Sequence, residues 1–341
     1  MEKTRIINYN RRNFIQNVTI ASAGLSIIPS SIYANISSSK KIIKVGMIGL
    51  DTSHSIEYTK LLNDPNAPEE IAGFPVVAAY PLGSSTIESS FSRIPKYTKE
   101  MEEMGVKIVD SLSELLNQVD VILLESNDGG VRLEQTLEVL KKGKPMFVDK
   151  PVAATFADVS KIYKAAEKYK VPMFSSSSLR FLKNADAIRN KNSIGKVMGA
   201  TTYSPCYIEP SHTDLFWYGV HGVELLFTVM GTGCKSIRRD YTEDSDIVYG
   251  TWQDGRVGVY RGRPHWEIGF GGIAFGEKGN LTMGPHNGYT TIVKEIVSFF
   301  KTHEAPVLPQ ETLEIYAFME AADESKRNNG ATILLDQYFH V

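Results

Sequence analysis

The stretch IIKVGMIGLDTSH, residues 42–54, sets the fold class. Residues 42–48 are a short apolar run rich in β-branched side chains, which predicts a buried strand. Gly49 ends this run, and an amphipathic segment at residues 53–62 then predicts a helix. A strand that turns at a glycine into a helix is the first unit of a doubly wound α/β sheet.

The alternation of strand and helix patterns continues to residue 174. Because parallel strands joined by helices are covered on both faces, this alternation predicts a Rossmann-like domain over residues 42–174. Further strands are predicted at residues 76–80, 106–109, 119–124, 145–148 and 171–174, and further helices at residues 97–104, 131–142 and 156–169.

A different pattern begins at residue 175. Asp254-Gly255 predicts a tight turn between two strands, and two amphipathic helices follow late in the chain. We therefore expect residues 175–341 to form an α+β domain built on an open, mostly antiparallel sheet. Its strands are predicted at residues 200–207, 247–252, 257–261 and 266–275, and its late helices at residues 291–301 and 311–327.

The composition is that of a globular protein with a small-molecule partner. The 341 residues hold 37 Lys and Arg against 39 Asp and Glu, so nothing favours nucleic acid or an acidic membrane surface. The two cysteines, Cys206 and Cys234, give neither a disulfide framework nor a cysteine zinc site. We predict that both are buried thiols.

The first 34 residues predict an export signal. Arg11 and Arg12 precede a weakly apolar run at residues 18–28, which is too short for a membrane span. Paired arginines indicate the twin-arginine route, which exports folded proteins, and residues 35–41 then form a polar linker. The expected location is the periplasm.

The turn at residues 49–54 lies where a dinucleotide fold binds phosphate. Gly49 is its only glycine, although Thr52, Ser53 and His54 could donate to a phosphate beside a free helix N-terminus. Asp51 lies in the same turn, and the simpler alternative is that Thr52 or Ser53 caps the helix.

The end of the second predicted strand lacks the carboxylate that would bind an adenosine ribose. The loop holds Ser84 and Ser85, with Arg93 further on, which would suit a 2′-phosphate. Ordinary loop residues are the alternative, so NAD, NADP and no dinucleotide all stay open.

The segment GKPMFVDKP, residues 143–151, predicts the catalytic lysine. It places Lys150 at the carboxyl end of a buried strand, next to Pro151, which restricts the backbone. Beside a nicotinamide, such a lysine can stabilise the oxygen of a substrate alcohol as hydride leaves.

This segment resembles the GKHVxxEKP motif of the glucose-fructose oxidoreductase and inositol dehydrogenase family, with Asp149 in place of the usual Glu. Residues 179–181 and 194–197 resemble the family's crossing between domains, and residues 218–221 resemble its helix with the catalytic histidine. The resemblance implies nicotinamide chemistry on a sugar or cyclitol, with Lys150 and His221 catalytic and Asn127 and Asp149 near the cofactor.

The departures from the family pattern concern the partner of His221. Trp217 stands where the family often has an aspartate, so Glu224, three residues after His221, is the alternative partner. Arg180, Trp217, Tyr218 and Glu224 are expected to hold the substrate, with Trp217 stacking on a sugar face.

Two other functions stay open. Asp51 with His54, and His221 with Glu224, have spacings that suit metal ligands on a helical turn, which would make the protein a metal-assisted lyase or hydrolase. A non-catalytic sugar-binding protein would also account for the missing glycines.

The leading hypothesis therefore has two further parts. A protein that is exported already folded cannot easily take up fresh nucleotide outside the cytoplasm. We therefore expect NAD or NADP to be tightly bound. We also expect a homodimer or homotetramer formed through the second sheet, because that sheet is predicted to carry Tyr249, Trp252, Tyr260, Trp266 and Phe270.

Overall fold

The computed structural model describes residues 42–190 and 192–339, and the predicted signal and linker lie outside them. The first half of the chain forms a parallel sheet with the strands β1 (Val45–Ile48), β2 (Val76–Tyr80), β3 (Lys107–Ile108), β4 (Val121–Leu124), β5 (Met146–Val148) and β6 (Met173–Ser175). Their order across the sheet is β3-β2-β1-β4-β5-β6, which is the doubly wound order. The predicted Rossmann-like sheet is confirmed.

Helices follow these strands as the amphipathic patterns predict. Hydroxyl or carboxylate side chains cap four of them, since Thr52, Ser111, Asp128 and Thr155 each accept a hydrogen bond from a first-turn N–H. The helices are α1 (Ser53–Leu62), α2 (Glu88–Phe91), α3 (Ile94–Glu103), α4 (Leu112–Leu116), α5 (Gly129–Lys141) and α6 (Phe156–Tyr169).

The second sheet has seven strands. They are β7 (Val197–Pro205), β8 (Cys234–Thr242), β9 (Ser245–Trp252), β10 (Val257–Arg263), β11 (Gly271–Gly276), β12 (Gly279–Met283) and β13 (Ile333–Leu334). Their order is β12-β11-β7-β10-β9-β8-β13, and within the described residues each adjacent pair except β7 with β10 is antiparallel. The expected mostly antiparallel sheet is confirmed.

Helices cover one face of this second sheet. They include α7 (Lys183–Arg189), α8 (Val220–Met230) and α10 (Pro309–Arg327). Helix α8 is buried along its whole length, and a Cβ at Gly222 would come within 2.4 Å of the Tyr260 ring. The glycine therefore lets the helix approach β10 closely, and this contact fixes where the side chains of α8 point.

Helix α9 (Thr290–Thr302) packs on the first sheet although it follows the second sheet in sequence. Its Phe299 ring lies 4.9 Å from the ring of Phe174 on β6, measured between centroids. Ile292 and Ile296 are buried in the same apolar cluster as Val45 and Met47 of β1. The chain therefore returns to the first sheet after building the second one.

The open face of the second sheet is partly apolar. One row across the strands joins Phe275, Gly199 and Val257, and Phe275 and Val257 are exposed. Tyr249 lies in the next row, whereas Trp252 and Tyr260 are buried on the opposite, helix-covered face. Only part of the aromatic set predicted for an assembly surface is therefore on the open face.

Residues 266–275 were predicted as one strand but are divided in the structure. A 3-10 turn occupies Trp266–Ile268, and β11 begins only at Gly271. Gly269, with φ of 64°, breaks the extended backbone between them. In the part of the chain that the structure describes, no helix has the length and apolar character needed to cross a bilayer.

Candidate active site

A cavity of about 390 Å³ opens at the carboxyl ends of β1, β4 and β5. This is the edge at which parallel α/β sheets bind ligands. Residues from both halves of the chain line the cavity, namely Thr52, Ser53, His54, Arg93, Tyr97, Asn127, Lys150, Ser178, Leu179, Tyr218, His221, Trp266, Phe270, His286 and Tyr289. Lys150 and His221, separated by 71 positions in sequence, thus share one cavity.

The turn after β1 presents the first residues of α1 to this cavity. Gly49 has φ of 88°, and a Cβ there would lie 2.4 Å from the backbone N of Ser126, so no larger residue fits. Thr52 Oγ1 accepts a hydrogen bond of 3.4 Å from His54 N, while Thr52 and Ser53 also line the cavity. The capping and lining roles are therefore compatible.

The Asp51 carboxylate points away from the cavity. It is fully buried and accepts hydrogen bonds from Ser84 N at 3.0 Å and from Asn127 N at 2.8 Å. Burial raises the pKa of Asp51, against the lowering effect of these two amides. Asp51 joins three loops at the sheet edge and does not line the cavity.

Arg132 holds the backbone on which Lys150 stands. This buried side chain on α5 donates from Nε to the Ser126 carbonyl at 2.6 Å and also donates to the carbonyls of Asp149 and Lys150. Lys150 is itself buried, and its Nζ lies 5.6 Å from the centroid of the Tyr218 ring. Packing against this ring directs the ammonium into the cavity.

His221 approaches the same space from α8. A hydrogen bond of 2.7 Å joins its Nδ1 to Ser177 Oγ, and the rings of Tyr218 and Phe270 pack beside it. Burial and then the Lys150 ammonium hold the pKa of His221 well below its usual range. The imidazole is therefore neutral at pH 7 and able to accept a proton.

Glu224 does not contact His221 directly. Its carboxylate accepts from Ser176 Oγ at 2.7 Å, from Ser177 N at 2.8 Å and from Arg180 Nε at 2.8 Å. Arg180 also forms an ion pair of 2.7 Å with Glu311, and neither Arg180 nor Glu224 lines the cavity. The expected Glu224–His221 pair is thus replaced by a link through Ser177.

A cluster of three buried polar residues, His54, Glu125 and Asp149, lies behind the cavity wall. His54 Nδ1 lies 2.8 Å from Asp149 Oδ2, and Glu125 follows β4 directly and is fully buried. Burial and then the neighbouring Asp149 raise the pKa of Glu125 well above its usual value. Glu125 was not among the site residues expected from the sequence, although an acidic residue directly after an apolar strand was a visible signal.

Of the other predicted residues, two line the cavity and one does not. Tyr218 and Asn127 line the cavity, with Asn127 Nδ2 donating to Ser90 Oγ at 2.9 Å. Trp217 is buried, packs on the ring of His212 at 5.0 Å and does not line the cavity. Trp266, whose exposed ring contacts Tyr218 at 5.0 Å, occupies the position expected of Trp217.

The structure does not bring together the four metal ligands considered from the sequence. Asp51 is committed to backbone amides and Glu224 to Arg180, so these two carboxylates do not meet His54 and His221 as ligands. The metal-compatible group within the described residues is His54 with Glu125 and Asp149.

Comparison with known proteins agrees with this fold. Residues 43–176 match the family model described as "Oxidoreductase family, NAD-binding Rossmann fold". This part of the chain belongs to the Gfo/Idh/MocA family. Its members are oxidoreductases, and the match spans every strand of the first sheet. A search of curated proteins gave no match.

The similarity to solved structures extends over both sheets. An oxidoreductase from Thermotoga maritima is 17% identical, with a TM-score of 0.69 over 87% of this chain and 100% of its own. Myo-inositol dehydrogenase from Lactobacillus casei, in complex with NAD(H) and myo-inositol, is 17% identical, with a TM-score of 0.66 over 86% and 96%. Myo-inositol 2-dehydrogenase from Lactobacillus plantarum is 16% identical, with a TM-score of 0.70 over 86% and 99%.

Proposed function

We propose that this Gfo/Idh/MocA oxidoreductase transfers hydride to or from a secondary alcohol of a sugar, glycoside or cyclitol, using NAD or NADP. The observation that carries the proposal is the meeting of Lys150 and His221 in one cavity at the carboxyl ends of the parallel strands. The name of the Lactobacillus casei relative, which binds myo-inositol, supports the substrate class.

The residues at the start of α1 fit the pyrophosphate of a dinucleotide. The first turn of the helix presents N–H groups beside Thr52 and Ser53, and Arg93 adds a positive charge to the same wall. Because the Asp51 carboxylate is turned inward, its negative charge does not face that wall. Thr52, Ser53 and Arg93 would hold the phosphates, and a bound nicotinamide supplies the site that accepts or donates hydride.

The chain's own side chains would bind and activate the alcohol. The Lys150 ammonium is placed to hydrogen-bond the reacting oxygen and to stabilise negative charge on it. His221, neutral because of its burial, accepts the hydroxyl proton during oxidation and returns a proton during reduction. Tyr218 and Trp266 form an aromatic wall on which the apolar face of a sugar ring would rest.

Tight retention of the nucleotide is part of the proposal. Arg93 follows the loop at residues 83–92 and donates to the Asp51 carbonyl at 3.4 Å, so this loop is tied to the phosphate-binding turn. Closure of the loop over the nucleotide would slow its release.

The test is to denature the purified, cytoplasmically folded protein and to identify nucleotides in the supernatant by mass spectrometry. Near-stoichiometric NAD or NADP is expected, with less in Arg93→Met than in the surface control Lys141→Met. If no nucleotide is present and neither NAD nor NADP at millimolar concentration raises the melting temperature, the proposal fails.

We further propose export to the periplasm through the paired arginines and assembly as a homodimer or homotetramer. The export test is cell fractionation of the full chain and of a variant in which Arg11 and Arg12 are both replaced by Lys. The wild type is expected in the periplasmic fraction and the variant in the cytoplasm. Equal distribution of the two would contradict the proposal.

A further inference from the structure

We infer that His54, Glu125 and Asp149 form a binding site for a divalent transition-metal ion, of the Zn²⁺ or Mn²⁺ type. One nitrogen of the His54 ring and one oxygen of each carboxylate lie within 4.8 Å of one another. This inference does not depend on the identity of the substrate, and it assigns the polar cluster behind the cavity wall a ligand of its own.

The first argument is that buried carboxylate oxygens lack partners. Both oxygens of Glu125 and Oδ1 of Asp149 are inaccessible to solvent, and no donor in the described part of the chain forms a hydrogen bond to any of them. Leaving such oxygens without a partner is costly, because they lose their hydration and gain nothing in return. Three unpartnered oxygens beside one imidazole therefore point to a cation.

The second argument is that the nearby positive groups do not take this place. Arg132 donates from Nε, Nη1 and Nη2 to the carbonyls of Ser126, Asp149 and Lys150, and it forms no hydrogen bond to the unpartnered carboxylate oxygens. Lys150 directs its ammonium toward the Tyr218 ring. Both cations reduce the negative charge around the cluster, but they satisfy none of the unpartnered oxygens.

The third argument is that the three ligands stand on a rigid frame with an entry path. Glu125 and Asp149 directly follow the adjacent strands β4 and β5, while His54 is on the first turn of α1, after β1. His54 lines the cavity, so an ion can reach the cluster from the cavity. Metal–ligand bonds of about 2.0–2.2 Å require ligand atoms that lie within 4.8 Å of one another to draw closer together.

The ligand types favour a transition metal over Mg²⁺ or Ca²⁺. One imidazole nitrogen with two carboxylate oxygens suits Zn²⁺ or Mn²⁺, whereas Mg²⁺ and Ca²⁺ prefer oxygen ligands alone. The ion would lie beside Lys150 and would add a Lewis acid to the wall of the cavity.

The experiment is a titration of the chelator-treated full chain with Zn²⁺, Mn²⁺, Mg²⁺ or Ca²⁺, followed by calorimetry and by the melting temperature. One equivalent of Zn²⁺ or Mn²⁺ is expected to bind and to raise the melting temperature, with a much weaker response to Mg²⁺ and Ca²⁺. Glu125→Gln and His54→Gln should each weaken binding on the order of 100-fold or more. Glu134→Gln, an exposed change on α5, is the matched control and should bind as the wild type does.

Folding and nucleotide binding are measured on the same preparations. Metal-free Glu125→Gln should melt at or above the metal-free wild type, because the substitution removes a buried carboxylate without a partner. Weak metal binding by this variant therefore cannot be ascribed to misfolding. Absence of a stoichiometric transition metal, or binding that both variants leave unchanged, overturns the inference, whereas the nucleotide content tests the proposed oxidoreductase function separately.

Discussion

Ser177 Oγ lies 2.7 Å from Nδ1 of His221, so a hydroxyl orients the histidine that the sequence pairs with a carboxylate. The Ser177 backbone N–H in turn donates to Glu224 at 2.8 Å, which ties the hydroxyl to the buried Arg180–Glu224 ion pair. The loop at Ser177 therefore links two side chains of α8, His221 and Glu224.

Ser177→Ala should lower kcat more than it raises KM, because the variant keeps the cavity but frees the imidazole to rotate. Loss of one such hydrogen bond, worth about 1 kcal/mol, predicts a decrease of roughly fivefold to tenfold in kcat. Ser177→Thr, which keeps the hydroxyl, should restore most of the activity. An equal loss in both variants would show that Ser177 has only a packing role.

Lys150→Met and His221→Asn should each reduce turnover of an accepted sugar or cyclitol by about 10²–10⁴-fold, which is the usual contribution of a positioned acid or base. Lys141→Met, on the exposed side of α5, is the control and should keep wild-type turnover. Steady-state rates with NAD and NADP are the measurement. Wild-type rates in both cavity variants would refute the proposed mechanism.

His221 should make the protein less stable at mildly acidic pH. Its pKa in the folded state lies below the value of about 6.5 in the unfolded chain, so the unfolded state binds more protons as the pH falls through 6.5. The stabilisation is therefore complete above about pH 7 and is lost toward lower pH. The groups around the imidazole are Lys150, His54, Asp149 and His286.

The measurement is urea unfolding of the wild type and of His221→Asn at pH 7.5 and 5.5. The free energy of unfolding should fall less in the variant between these two pH values, by up to about 1.4 kcal/mol for each pH unit. The comparison cancels the other titrating groups. An identical decrease in the two proteins would mean that His221 does not carry this dependence.

Arg180→Met should destabilise the protein by about 3–5 kcal/mol, because it leaves the Glu224 carboxylate buried without its cation. Arg180→Met combined with Glu224→Gln should recover part of this loss, since the Glu224 charge is then removed and only Glu311 stays without its cation. Chemical denaturation of the two variants is the measurement. If the double variant is less stable than Arg180→Met, so that Glu224→Gln adds a cost of its own, the pairing of Arg180 with Glu224 is contradicted.

Val257→Glu should convert an assembled protein to monomers, because it places a charge in the apolar row of Phe275 and Val257 on the open sheet face. Light scattering at micromolar concentration measures the mass. Glu102→Gln, on the exposed surface of α3, is the control. A monomeric wild type would contradict the proposed assembly.

Local patterns predicted the parallel sheet and Lys150 because strand ends and short motifs are encoded by neighbouring residues, whereas His221 was expected from the resemblance of residues 218–221 to the family's helix. The partner of Glu224 could not be predicted in this way. The three-residue spacing of Glu224 and His221 suggests that the two side chains lie on one helix face and pair there. Arg180, on a 3-10 turn 44 positions before Glu224, donates to the carboxylate instead.

The aromatic wall was missed for a similar reason. Trp266 contacts Tyr218 only after β10 has paired with β7 and Gly269 has turned the chain. Trp217 is adjacent to Tyr218 in sequence and was the closer guess, yet packing on His212 draws its ring into the interior. Contacts of this kind depend on tertiary packing and leave no spacing pattern in the sequence.

The first sheet depends on α9, which comes late in the chain, for part of its apolar cover. Residues 43–176 contain every strand of that sheet, yet Ile292, Ile296 and Phe299 supply part of the layer that shields it from water. A fragment truncated after residue 176 would expose the apolar side chains that α9 covers, Phe174 among them. The stretch that matches the family model therefore lacks part of the apolar layer that its sheet needs in order to fold by itself.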